Sequence, residues 1–381
     1  MTLLVTFGLP GMMFTWGRTA LGALAAELPG TCGMVEVQTL EQLREAWASR
    51  KTDNLIVVSS YPDAELCAFL MKSRMPYLAF VENPLDSLAW MIRTTNSDAV
   101  PLLRALSASI SCVSQLQTYA RLIPVNRNTV GKVQVDRILN VFVRALKLDL
   151  APEAVARCTV KLGGAADGTQ IPTLEEAAAA SYGAAYGPPG QLSSIPADLI
   201  DIAKDVLEPF KETVFRPPSS AIRWPLRAFL SADRLGEPVG GEIDLVGRAR
   251  CVIYGPYLHL PPGQWIARFS MRIEENLYGQ IFMIEIHNSQ LLGRMRVKPE
   301  STGSFVAELD FTAEVPMEAI EIRLFTESGA IEGAIADWSV EMLFRSHLEQ
   351  GEKPEMVVAD EENPGRVATE PQAPTMSAAD H

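Results

Sequence analysis

Leu3-Leu4-Val5-Thr6-Phe7-Gly8-Leu9-Pro10-Gly11-Met12-Met13-Phe14-Thr15-Trp16 decides how the first half of the chain folds. The apolar run ending at Phe7 reads as a buried strand, and from Thr15 to Glu27 apolar residues recur at helical spacing until Pro29-Gly30. Strand, tight loop and helix together make the unit that holds phosphate. The first N–H groups of a helix have no partner inside it, its dipole is positive there, and a nearby cation usually completes the site. This loop lacks the cation. Gly11 stands where lysine would help, and Met12, Met13 and Phe14 crowd the same turn.

The alternation continues beyond the first unit. Met34 to Val37 is a short strand candidate, Thr39 is placed to cap a helix with Leu40, Leu43 and Trp47 on one face, and Asn54 to Ser59 is strand-like again. A helix follows from Pro62 to Met71. Tyr77-Leu78-Ala79-Phe80-Val81 then leads into Pro84, which suits the first turn of a helix carrying Leu88, Met91 and Ile92. Such alternation predicts a three-layer α/β/α arrangement around a parallel sheet. Helices dominate from Ala99 to Leu150, and the one from Lys132 to Leu148 has Val135, Ile138, Leu139, Phe142 and Val143 as its apolar stripe.

After Gly240 the period changes to two. Cys251 to Tyr254, Trp265 to Met271, Gln280 to Ile286, Phe305 to Phe311, Ala319 to Phe325 and Trp338 to Phe344 are strand-length segments separated by turn signals such as Pro261-Pro262-Gly263. This pattern predicts an antiparallel β-sandwich. The expected organisation is an α/β domain over 1–160, a linker with short helices over 161–239, a sandwich over 240–346 and a disordered acidic tail over 347–381.

Composition narrows the function classes. The chain is globular in character, with 48% hydrophobic and 21% charged residues, and its net charge of −13 sets it against nucleic acid or an anionic membrane as main partner. Five scattered cysteines, without CxxC or Cys/His spacing, point to reduced thiols in the cytoplasm and away from a metal site. The apolar N-terminal stretch lacks a basic flank and is interrupted by Gly8, Pro10 and Gly11, so no export signal is expected. Charge or proline breaks the other apolar stretches within about 18 residues, too short for a membrane span.

Three segments of the first half resemble motifs of the PAPS-dependent sulfotransferases. Pro10 to Trp16 is similar to their 5′-phosphosulfate loop, Pro-Lys-Ser-Gly-Thr-Thr-Trp, with Pro10, Thr15 and Trp16 matching. Val81-Glu82-Asn83-Pro84-Leu85-Asp86 resembles the Arg-Asn-Pro-Lys-Asp junction that binds the 3′-phosphate, with Asn83, Pro84 and Asp86 matching. Val57 to Pro62 lies where that family has Lys-Thr-His-x-Pro. The resemblance covers roughly residues 1–160 and implies a P-loop sulfotransferase-like fold.

The departures fall on the charged positions. The phosphosulfate lysine is replaced by Gly11, the catalytic histidine by Ser60, the 3′-phosphate arginine by Glu82 and a helix serine by Trp90. If a donor site is retained, for PAPS or adenosine 3′,5′-bisphosphate, Gly11, Thr15, Arg18 and Arg93 are the residues left to hold it. Each also has a structural reading: Gly11 as a turn residue of positive φ, Thr15 as a helix cap, and the two arginines as solvated helix residues or partners of Glu82 and Asp86. Without the retained site, no cofactor is expected.

Tyr254-Gly255-Pro256-Tyr257-Leu258-His259-Leu260-Pro261-Pro262-Gly263-Gln264-Trp265 resembles a segment of β-sandwich modules attached to bacterial glycosyltransferases and polysaccharide proteins. The resemblance implies a carbohydrate-binding module. Its candidate glycan contacts are Tyr254, Tyr257, His259, Tyr278, Asn288 and Arg294, whereas Trp265 and Trp338 read as core. The function expected from both halves is a non-catalytic or weakly active sulfotransferase-like protein that recognises glycan, or assembles with partners, in bacterial polysaccharide metabolism. Two alternatives stay open: a sulfuryl or glycosyl transferase with a donor site rebuilt around Arg18, Thr15 and Arg93, and an oligomeric structural subunit anchored by exposed Met12-Met13-Phe14.

Overall fold

The computed structural model describes residues 2–345 except 74, 96, 119–120, 165–169, 213, 219 and 277–278. The acidic tail expected over 347–381 therefore lies outside the described residues.

Five strand-helix units build the first half. β1 (Leu3–Gly8) leads to α1 (Met12–Ala25), β2 (Cys32–Glu36) to α2 (Leu40–Ser49), β3 (Asn54–Ser59) to α3 (Ala64–Ser73), and β4 (Tyr77–Val81) to α4 (Pro84–Thr94) and α5 (Ala99–Ser114). β5 (Leu122–Asn126) ends the sheet. It is followed by α6 (Arg127–Val130), α7 (Val135–Leu146), α8 (Pro152–Lys161), α9 (Leu174–Tyr182) and α10 (Ala197–Leu207). All five strands pair in parallel, in the order β2-β3-β1-β4-β5.

The strands read as near-continuous apolar runs because both faces of the sheet are covered. Leu4, Ile56, Val58, Leu78 and Phe80 share one core with α1, α7, α8 and α9, while Val5, Phe7, Val57, Tyr77 and Ala79 share the other with α4, α5 and α10. Local signals set the helix starts. Thr39 caps α2 in a reciprocal box with Gln42, and Asn83 Oδ1 accepts from Leu85 N ahead of Pro84 at the start of α4.

Among the described residues, ten strands form the second half: β6 (Ile222–Pro225), β7 (Leu230–Ser231), β8 (Ile243–Asp244), β9 (Cys251–Leu258), β10 (Gly263–Glu274), β11 (Phe282–His287), β12 (Leu291–Val297), β13 (Gly303–Ala313), β14 (Ile320–Thr326) and β15 (Ala334–Phe344). One antiparallel sheet runs β13-β10-β15-β6, with β8 also on β15, and the other runs β12-β11-β14-β9-β7. Trp265, Phe269 and Trp338 from the first and Ile284, Ile322 and Leu324 from the second are fully buried, as the two-residue period requires.

The stretch expected as a linker with short helices contributes residues to both halves. Leu174, Ala177 and Ala178 of α9 belong to the α/β core, and Ile222 and Trp224 of β6 to the sandwich. The apolar cluster that includes Leu199, Ile202 and Ala203 of α10 is continuous from the α/β sheet into the sandwich. The periodicity of α9 is weak in sequence because its inward residues are mostly alanines.

Candidate functional site

Strands β4 and β5 deliver the two residues that define the first loop. Val81 pairs with Asn126 at the end of the ladder, so Glu82 and Arg127 leave the sheet side by side. Both are about 2% exposed, and Arg127 Nη1 lies 3.0 Å from Glu82 Oε2. The other carboxylate oxygen, Oε1, accepts a 3.2 Å hydrogen bond from Met13 N in the first turn of α1. That turn contains no acidic residue of its own. The anion at the positive end of α1 is therefore the side chain of Glu82.

Gly11 makes the room. A β-carbon there would collide with the Glu82 carboxylate and lie 2.8 Å from Ser87 Oγ. Its φ of −167° is extended backbone open to any residue, so the expected positive φ is replaced by a requirement for space. Gly11 is the N-cap of α1, and Thr15 sits a turn inside the helix with its hydroxyl donating to the Gly11 carbonyl at 2.9 Å. Ser87 Oγ is buried beside this cluster without a hydrogen-bond partner among the described residues. Met12, Met13 and Phe14, an exposed anchor in the structural-subunit alternative, are 1%, 0% and 4% exposed and pack into the α/β core.

Arg127 also binds Glu175 of α9 through Nε to Oε1 and Nη2 to Oε2, both at 2.8 Å, and Nη2 donates to the Gly187 carbonyl. Burial pushes Glu82 above the usual carboxylate range, against the pull of Arg127 and the Met13 amide. Burial pushes Glu175 upward too, but its bonds from Arg127 and the Tyr186 hydroxyl outweigh this and hold it low. Arg127 gives up hydration yet is held more firmly protonated by the two carboxylates around it.

A strap over residues 185–194 lies across the same region. Arg93 donates from Nε to the Ala185 carbonyl at 2.9 Å and from Nη1 to Ser194 Oγ at 3.1 Å, and Asp86 Oδ1 accepts from Gly190 N at 2.7 Å. Arg93, one of the residues left to hold a nucleotide if a donor site is retained, is engaged by the Ala185 carbonyl and the Ser194 hydroxyl. Arg18 points the other way, to Glu36 of β2 at 3.4 Å. Of the four candidate donor-site residues, Gly11 and Thr15 meet at the start of α1, Arg93 grips the strap, and Arg18 is turned toward the sheet edge. Ser60 is buried, its carbonyl accepting from Ser109 Oγ at 2.8 Å.

Arg127, Glu175 and the strap went unread in the sequence. A proline inside Leu122-Ile123-Pro124-Val125-Asn126 hides β5, and with it the strand end that brings Arg127 to Glu82. A parallel strand after β4 was the one signal available, since its end must lie beside Glu82.

The sandwich candidates divide among three places. Tyr257 and His259 face the α/β half: Arg104 of α5 lies 5.2 Å above the Tyr257 ring and donates to the Pro256 carbonyl, and Ser107 Oγ is 3.3 Å from His259 Nδ1. Tyr257 also donates to Glu321 at 3.0 Å. Tyr254 and Arg294 stand at the two ends of one cross-strand row, Arg294–Glu285–Arg323–Tyr254. In that row Glu285 is already shared by Arg294 and His287. Asn288 stands apart, in a cleft of about 470 Å³ at the turn between β11 and β12. Tyr278 lies outside the described residues. Among the described residues there is no group of His, Cys, Asp and Glu able to hold a metal, and no helix long and apolar enough to cross a membrane.

No protein-family model matches the sequence, and no curated protein matches it. Among solved structures, the N-terminal part is similar to mouse sulfotransferase SULT7A1 complexed with PAP, at 11% identity and a TM-score of 0.30, over 45% of this chain and 68% of that one. The sandwich is similar to the C-terminal CBM6 of the laminarinase LamC from Zobellia galactanivorans, at 13% identity and a TM-score of 0.23, over 32% of this chain and 99% of that one. It is also similar to TmCBM61 in complex with β-1,4-galactotriose, at 16% identity and a TM-score of 0.20, over 32% and 88% of the two chains.

Proposed function

We propose that the α/β half is a sulfotransferase-like scaffold whose donor site is filled from within, and that the protein serves glycan recognition or assembly in polysaccharide metabolism rather than sulfuryl transfer. The observation that carries this reading is the Glu82 carboxylate at the N-terminus of α1, bonded to the Met13 amide and to Arg127. An incoming phosphosulfate would meet a like charge where it needs a cation. Two unit charges 4 Å apart repel by about 1 kcal/mol in water and by several times that near a protein surface.

The chemistry of transfer also lacks its parts. Sulfuryl transfer needs a base for the acceptor hydroxyl and cations around the bridging oxygen, and a serine at position 60 is a poor base. A donor site rebuilt around Arg18 and Arg93 is disfavoured because both guanidinium groups are turned to protein partners. The test is thermal melting with millimolar adenosine 3′,5′-bisphosphate. An unchanged melting temperature is expected, because a ligand stabilises only the state that binds it, and a concentration-dependent rise overturns the reading.

A further inference from the structure

Resting on the glycan-recognition reading, we infer that the cleft between the β11–β12 turn and the adjoining ends of β10 and β13 is a binding site for a neutral, unsulfated saccharide. The cleft measures about 470 Å³, within the usual range for small-ligand sites. Its polar lining comes from four separate segments of chain. Gln264 opens β10, Asn288 and Gln290 sit on the turn, Thr312 and Glu314 end β13, and Arg345 follows β15.

Most of that polar surface is uncommitted. The side chains of Gln264, Gln290, Thr312 and Glu314 are exposed and make no hydrogen bond or ion pair among the described residues. Asn288 uses its Oδ1 to accept from Gln290 N at 2.9 Å, which fixes the side chain and leaves its amide donors free. Two whole amides, an amide NH₂, a hydroxyl and a carboxylate form a set that both donates and accepts, as sugar hydroxyls do. Leu291 and Val315, 45% and 46% exposed, offer apolar surface for sugar C–H groups.

Charge selects within the class. Asp310 is paired with Arg345 at 3.2 Å, so Glu314 leaves the cleft net negative, within a chain of net charge −13. A sulfated or phosphorylated sugar would be repelled, while a neutral one would lose nothing. The sheet-face row that carries Tyr254 and Arg294 is less suited, since Arg294 is already paired with Glu285 and Arg323 with the neighbouring Glu321.

The test uses the whole chain on a panel of neutral glucan, galactan, xylan and mannan oligosaccharides and their sulfated counterparts. Retention of a neutral member, at least tenfold weaker in the Gln264→Ala/Gln290→Ala double variant and unchanged in Tyr254→Ala, is the expected result. Both glutamines are exposed, so the double variant should melt as the native protein does. Binding lost in Tyr254→Ala but kept in the cleft variant overturns the cleft and leaves glycan recognition standing. Preference for sulfated members overturns the neutral-ligand assignment. No retention of any member overturns both this site and the glycan reading, and a response to divalent cation alone, quenched in Glu314→Gln, reassigns the cleft to a cation.

Discussion

Glu82 packs its carboxylate against the bare Cα of Gly11, where no β-carbon fits. Two departures from the sulfotransferase-like motifs that look independent in the sequence, Gly11 in the loop and Glu82 at the strand end, meet in space. The glycine clears a volume at the start of α1, and the glutamate fills it with a negative charge that satisfies the Met13 amide. Arg127 then neutralises that charge from the neighbouring strand end.

Gly11 and Glu82 should therefore be energetically coupled. Gly11→Ala forces the carboxylate out of place and is expected to destabilise by about 1–3 kcal/mol, the usual cost of overpacking. In a Glu82→Ala background the same change should be close to neutral. Denaturant unfolding of the four proteins measures the coupling, and simple additivity would show that the contact does not constrain Gly11.

Arg127 is the most sensitive single position of this cluster. Arg127→Ala leaves Glu82 buried without its cation and Glu175 without its bidentate partner, for an expected loss of about 3–5 kcal/mol. Glu82→Gln/Arg127→Met should be less damaging than Arg127→Ala alone, because it removes the charge as well as its partner. Chemical denaturation of the three proteins checks the order.

The strap has its own signature. Arg93→Ala removes the hydrogen bonds to Ala185 and Ser194, and should speed limited proteolysis within 185–194 while the global melting temperature changes little. Unchanged cleavage would mean that the bonds at Gly187, Gly190 and from Ser194 to the Ala89 carbonyl hold the segment without Arg93.

The junction of the two halves should respond to acid through His259. Burial lowers its pKa from the ordinary 6.5, against weaker support from the Met317 and Arg104 carbonyls. Because the folded pKa is the lower one, the unfolded chain binds the proton first. The neutral ring's contribution is present above pH 6.5 and lost as pH falls from there through the folded value. Melting temperatures between pH 7.5 and 5 should decline in the native protein, and decline less in His259→Gln.

Strands buried on both faces were readable from sequence because their apolar runs are unbroken, as in β1, β3 and β4. The edge strands β5, β6 and β12 were not, although the edge strands β2 and β13 were. β5 is interrupted by Pro124, β6 is short and ends in Pro225, and β12 alternates Arg294 and Arg296 outward in a pattern that reads as polar loop. The lack of a cation at Gly11 was legible, but the carboxylate that packs against it was not. Arg127 is 45 residues from Glu82 in the chain, and nothing local announces the pair.

The most direct measurement is titration of adenosine 3′,5′-bisphosphate into native protein and Glu82→Ala side by side, followed by calorimetry and melting. Native protein should show no heat and no shift, while the variant, with the Met13 amide and Arg127 Nη1 released, should bind and gain stability with concentration. Binding by the native chain, at equal or greater affinity than the variant, would contradict a donor site occupied by its own glutamate.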